Sequence, residues 1–259
     1  MAHGLGPMLL WTARQAGIDP HDHPALAPLV EATHQTAMAT ILLEKTQRDV
    51  DATLRAAGIP ALWLKGAALA HTVYPEPALR PMADLDVLVP YEQRERALAI
   101  VQGLGYDFYS LHGIRTRSSG DDLALKLSAH HYHLRGGVSN AVILELHSRL
   151  LGSDDRLLSL VQLDWFWAHT ETIRAGEGWA FDTLTPEAHL LYGCAHAILQ
   201  HGEAQLYLLR FFDLHQIVTR TALDWPLIVD QAVALGWTLA VERALRRCMA
   251  FFATPVPAE

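Results

Sequence analysis

Asp84 and Asp86 stand two positions apart inside an apolar run, RPMADLDVLVP, residues 80–90. On a strand, alternate residues point to one face, with Cα atoms roughly 6.5–7 Å apart. Leu85, Val87 and Val89 then take the opposite face, toward a core. Two neighbouring carboxylates repel, and one of them protonates unless a cation lies between them. A divalent ion removes that cost, and Mg²⁺ favours one or two carboxylates together with phosphate oxygens of a substrate. A third carboxylate lies in VILELH, where Ile143, Glu145 and His147 share a face. If that strand lies beside the aspartate strand, the three carboxylates can hold two metals about 3.5–4 Å apart, which suits in-line displacement at phosphorus. The plain alternative for all three is a solvated strand face.

Upstream, LWLKGAAL reads as a strand that ends at a glycine and opens a helix. Such a turn lets phosphate approach backbone N–H groups at the helix N-terminus. Gly66 permits the close approach and Lys65 supplies a charge, unless Lys65 only extends its stem from a strand end. HHYH, residues 130–133, puts His131 and His133 on one strand face, from which they could reach the same site. His147 points to the same side as Glu145 and is a candidate neighbour. An ordinary polar sheet face is the competing explanation for these histidines.

The elements around these residues follow from periodicity and punctuation. Residues 24–57 carry apolar positions at three and four spacing and predict one long helix, stopped at Gly58-Ile59-Pro60. ALWLK and ADLDVLV read as strands, YEQRERALAIVQGLG as an amphipathic helix, and YDFYS as a short strand. Residues 123–134 and 140–150 alternate and are joined by RGGVS, which predicts a hairpin. From residue 155 onward the pattern is mostly helical, with a strand-like WAFDTL before a helix capped by Thr185-Pro186-Glu187. The fold class expected is α+β: a mixed sheet core flanked by helices, with a helical N-terminal segment (1–60), an α/β core (61–152) and a C-terminal helical bundle (153–259).

Composition narrows the function classes. The 259 residues are 51% hydrophobic and carry 20 basic against 28 acidic side chains, so a sizeable core is expected and a phosphate-backbone groove is not. No run of about eighteen uncharged apolar residues exists, so no membrane span is expected. The N-terminal apolar patch lacks a basic flank and does not read as a signal peptide. Cys194 and Cys248 form no CxxC pair and suit a reducing cytoplasm, the expected location.

A strand–Gly–helix turn, a D-x-D strand and a third acidic strand follow the plan of the DNA-polymerase-beta-like nucleotidyltransferase superfamily. More closely, LKGAALAHTVYPEPALRPMADLDVLV resembles a poorly characterised bacterial nucleotidyltransferase family with L-K-G, Y-P, R and D-[IL]-D-[LV]-L-V motifs. ELHSRL resembles its E-L-H strand, and AHAILQHGEAQLYLLRFFDLHQIV its helical H…D-L segment. The resemblance spans roughly residues 30–220 and is densest over 62–90. It implies a nucleotidyltransferase-like core in which Asp84, Asp86 and Glu145 are catalytic and bind two Mg²⁺ (or Mn²⁺). Lys65, Gly66 and Arg80 would bind the triphosphate of a nucleotide such as ATP. Glu145 would also activate the acceptor hydroxyl. His196 and Asp213, in the helical bundle, would line a pocket for a small-molecule or peptide acceptor. Ala67 departs from the superfamily, which usually has Gly or Ser after the glycine. A catalytically inactive nucleotide-binding or scaffold protein is the rival reading, and the intact carboxylate trio argues against it.

Overall fold

The computed structural model describes residues 3–108, 131–137, 140–152, 160–176, 178–202 and 207–257. The chain forms two compact units, each assembled from separate stretches of sequence. One unit, residues 42–67 and 83–185, contains all the described strands. The other, residues 1–41, 68–82 and 186–259, is helical.

Among the described residues the sheet has seven strands: β1 (Leu62–Leu64), β2 (Asp84–Leu88), β3 (Asp107–Phe108), β4 (His131–Gly136), β5 (Val142–His147), β6 (Thr170–Arg174) and β7 (Ala180–Leu184). Their order is β3-β4-β5-β2-β1-β7-β6. β2 runs parallel to β5 and β1 parallel to β7, while the other pairs are antiparallel, so the sheet is mixed. The expected hairpin is β4–β5. Residues 123–130 of its predicted first strand, His130 among them, and residues 138–139 of its turn lie outside the described residues.

Alternation divides this sheet cleanly. Leu85 and Val87 of β2, Leu144 and Leu146 of β5 and Leu134 of β4 are buried on one side. Asp84, Asp86, Glu145, His131 and His133 occupy the other. On the apolar side lies the second half of the long helix α2 (Ala27–Ala56), whose Asp51 accepts a 3.0 Å hydrogen bond from Trp63 Nε1 of β1. The helix α4 (Arg94–Gly103) buries Ala97, Leu98 and Val101. The short α3 (Lys65–Thr72) begins directly after β1, as the strand–glycine–helix spacing predicts. The unit is completed by α5 (Leu160–Ala168).

One element differs from expectation. β6 lies where the sequence reads as helical. Its residues Thr170, Thr172 and Arg174 are exposed and only Ile173 is strongly apolar, so an edge strand here has no buried face to announce it. The N-terminal apolar patch forms the helix α1 (Gly6–Gln15), burying Met8 and Leu10.

The helical unit carries α6 (Pro186–Ala195), which winds into a π turn over His196–Gln200, then α7 (Leu208–Arg220), α8 (Trp225–Leu235) and α9 (Thr238–Phe252). The predicted start of the α7 helix, residues 204–206, lies outside the described residues. α8 shows how local sequence sets its ends. Asp224 accepts from Leu227 N at 3.0 Å as N-cap, Pro226 sits in the first turn, and Gly236 closes the helix at φ 70°. Asp224→Ala is expected to cost about 1 kcal/mol, read as a lower urea midpoint at unchanged slope. Cys194 and Cys248 are free thiols buried in this unit, and burial pushes the Cys248 thiol up to about 12.

Candidate active site

Register brings the predicted residues of the sheet unit together. Asp86 lies opposite Glu145 across the parallel β2–β5 pair, and Glu145 lies opposite His133 across β5–β4. On the other side Asp86 faces Leu64, the last residue of β1, so Lys65 follows immediately beside it. Asp84 is one pleat away on the same face, half-buried and opposite Ile143. His147 lies opposite His131. Residues directly opposite each other in a ladder share a face, and six of these side chains therefore project from three adjacent strands toward one region.

The distances make this a charge network. Lys65 Nζ donates to Asp86 Oδ1 at 2.7 Å and lies 4.0 Å from Glu145 Oε2. His147 Nε2 is 2.9 Å from Asp86 Oδ1 and 3.4 Å from Glu145 Oε2. His133 Nδ1 reaches Glu145 Oε1 at 3.1 Å, and a 2.7 Å hydrogen bond links the Nε2 atoms of His131 and His133. Asp86 is only 3% exposed. A carboxylate so deeply placed requires compensation, and an ammonium and an imidazole supply it.

Proton affinities follow from the same contacts. Burial alone would raise the Glu145 pKa, but hydrogen bonds from His133 and His147, with the charges of His147 and His131, hold its carboxyl well below the usual carboxylate range. Burial alone would lower that of His147, but Asp86 and Glu145 outweigh it and raise it. Glu145 thus stays an anion, and the two carboxylates raise the proton affinity of His147 against its burial.

Lys65 has φ 47°, in the left-handed region that non-glycine residues enter at a cost. The turn from β1 into α3 is therefore made by the residue whose ammonium reaches Asp86. Strain of this kind persists where surrounding contacts hold it, and it clusters at functional sites. Gly66 follows in the first turn of α3, where helix N–H groups lack intrahelical acceptors.

Three predicted residues lie in the helical unit instead. Arg80 Nη2 and Nε donate to Asp213 Oδ2 and Oδ1 at 2.7 and 3.3 Å, and Arg80 Nη1 donates to the Pro81 carbonyl. Tyr74 completes this group by donating to Asp213 Oδ1 at 2.7 Å. Sequence reasoning did not single out Tyr74, although it is the tyrosine of the Y-P motif. His196 Nε2 lies 3.2 Å from His201 Nε2.

The profile of a family described as uncharacterised nucleotidyltransferase matches residues 1–253. The chain belongs to that family. It is therefore a nucleotidyltransferase, a transferase of phosphorus-containing groups with a nucleotide substrate. No curated protein matches it. Among solved structures it is similar to the antibiotic-resistance factor ANT(2'')-Ia, at 14% identity and TM-score 0.45, over 82% of this chain and 96% of that one. It is also similar to an antigenic nucleotidyltransferase-like protein from Paracoccidioides brasiliensis, at 14% identity and TM-score 0.41, over 84% of this chain and 96% of that one. Among the described residues, no helix of the nucleotidyltransferase is long and apolar enough to cross a membrane.

Proposed function

We propose that this nucleotidyltransferase moves a nucleoside monophosphate from a nucleoside triphosphate to a small-molecule, peptide or protein acceptor, in a metal-dependent reaction that releases pyrophosphate. The observation that carries the reading is the in-register pair Asp86–Glu145 on adjacent parallel strands, with Lys65 Nζ 2.7 and 4.0 Å from their oxygens. The donor set fits divalent cations. Its carboxylate oxygens converge where an ammonium and imidazoles now offset their charge, and Asp84 adds a third carboxylate on the same face. Asp84, Asp86 and Glu145 are the residues that would hold two Mg²⁺ or Mn²⁺ ions. Bound there, such ions would supply positive charge to offset the negative charge that develops on the phosphate during transfer.

The chain's own groups do the remaining work. N–H groups at the start of α3, with Gly66 leaving the backbone open, receive phosphate oxygens. Lys65 keeps a positive charge beside Asp86 and can turn toward the phosphates once other cations neutralise that carboxylate. A new P–O bond forms between an acceptor hydroxyl and the α-phosphorus as the bond to the pyrophosphate oxygen breaks, and the hydroxyl proton passes to water. Glu145, whose carboxyl the neighbouring histidines hold as an anion, supplies fixed negative charge.

Glu145→Gln keeps the shape of the side chain and removes its charge. Transfer is expected to fall about 100-fold or more, measured as pyrophosphate release over a panel of small-molecule and peptide acceptors. Release at the wild-type rate would remove Glu145 from the reaction.

A further inference from the structure

His131, Glu145 and His147 bring three ligand atoms within 4.8 Å of one another. His131 Nε2 is 3.7 Å, and His147 Nε2 3.4 Å, from the same oxygen, Glu145 Oε2. Bonds of about 2.0–2.2 Å in a tetrahedral site set ligand–ligand edges of roughly 3.3–3.6 Å. These two edges are close to that spacing. His133 Nδ1 holds the other oxygen of the same carboxylate at 3.1 Å, as an outer partner that orients a ligand does. His147 is fully enclosed at 1% exposure, and His131 is fixed opposite it by the β4–β5 register.

The donor types select among cations. Mg²⁺ takes oxygen ligands in octahedral geometry and parts with water reluctantly. Imidazole suits zinc and the later first-row ions, and two histidines with one carboxylate leave a fourth position open on zinc. We infer that His131, Glu145 and His147 form a site selective for a nitrogen-preferring divalent ion of the Zn²⁺ class, beside the Asp84–Asp86 carboxylates. The inference rests on the metal-dependent reading of this face and adds to it a cation of another class, on a donor set that shares only Glu145 with the carboxylate trio. Asp86 Oδ1, 2.9 Å from His147 Nε2, marks how near that site lies to the aspartate pair.

Co²⁺, which substitutes for Zn²⁺ and absorbs strongly in the visible only when four-coordinate, is the probe. Chelator-stripped full-length protein is titrated with Co²⁺, then with Zn²⁺ or Mg²⁺. The expected result is one Co²⁺ per chain with a four-coordinate spectrum, displaced by one equivalent of Zn²⁺ and retained in a 100-fold excess of Mg²⁺. His131→Ala and the conservative His131→Asn, both checked for native circular dichroism, weaken Co²⁺ binding about 100-fold. A variant carrying His21→Ala and His23→Ala retains it. Displacement by Mg²⁺, an octahedral spectrum, unchanged affinity in both His131 variants, or loss of binding with His21 and His23 would each overturn the inference. Transfer by Asp84→Asn separates the two claims. If transfer survives that substitution while Co²⁺ binding still depends on His131, the transfer reading fails alone. If transfer is lost while Mg²⁺ displaces Co²⁺ in the wild type, this inference fails alone.

Discussion

Asp86→Asn lowers nucleotidyl transfer about 10³-fold or more while leaving the protein folded. Asp86 is the meeting point of the site: Lys65 donates to its Oδ1 at 2.7 Å and His147 Nε2 lies at 2.9 Å. Asparagine keeps the shape and one carbonyl acceptor, so the strand and its register persist. The charge is what disappears, and Lys65 and His147 then face a neutral amide. Stability falls by about 1–3 kcal/mol, the usual cost of an uncompensated buried partner. His147 relieves part of this by releasing its proton, because Asp86 is among the groups that raise its proton affinity. Thermal unfolding and circular dichroism read the fold, and pyrophosphate release reads the chemistry. Transfer within tenfold of wild type would remove Asp86 from the centre of the reaction.

Arg80→Ala and Asp213→Ala each destabilise the helical unit by about 3–5 kcal/mol. Their side chains are 11% and 9% exposed, and the pair is bidentate, with Tyr74 adding a third contact to the same carboxylate. Removing one partner leaves the other charge enclosed without its counter-ion. The double variant Arg80→Met/Asp213→Leu, apolar and of similar volume, recovers most of that loss. Urea denaturation measures all three. Single-variant losses below about 1 kcal/mol would mean that solvent compensates the pair. The stable double variant also tests the phosphate role that the sequence resemblance implies for Arg80. Full transfer removes that role, and transfer reduced in a folded protein carries it.

The part of the site that local alternation encodes is legible in the sequence. D-x-D on an apolar strand, Glu145 and His147 two apart on another, and a strand that ends at Lys65-Gly66 can each be read from period and residue type. The parallel β2–β5 pairing turns these into one face, and the sequence offers it only as a condition. What it does not contain is register. That His131 stands opposite His147, and His133 opposite Glu145, depends on where the hairpin closes. A shift of one residue would send both histidines to the apolar side. The Arg80–Asp213 pair spans 133 positions and leaves no periodic trace. The positive φ of Lys65 is equally silent, since lysine is not a residue that advertises a left-handed turn. β6 is silent in the sequence because a solvent-facing edge strand needs no apolar stripe, whereas β2 and β5 announce themselves through the core they line.

The most direct measurement is pyrophosphate release from each nucleoside triphosphate with Mg²⁺, over small-molecule and peptide acceptors, by the wild type and by Asp84→Asn/Asp86→Asn. The wild type releases pyrophosphate with at least one nucleotide–acceptor pair, and the folded double variant runs about 10³-fold slower or worse with that pair. A folded double variant that releases pyrophosphate at the wild-type rate would contradict the account.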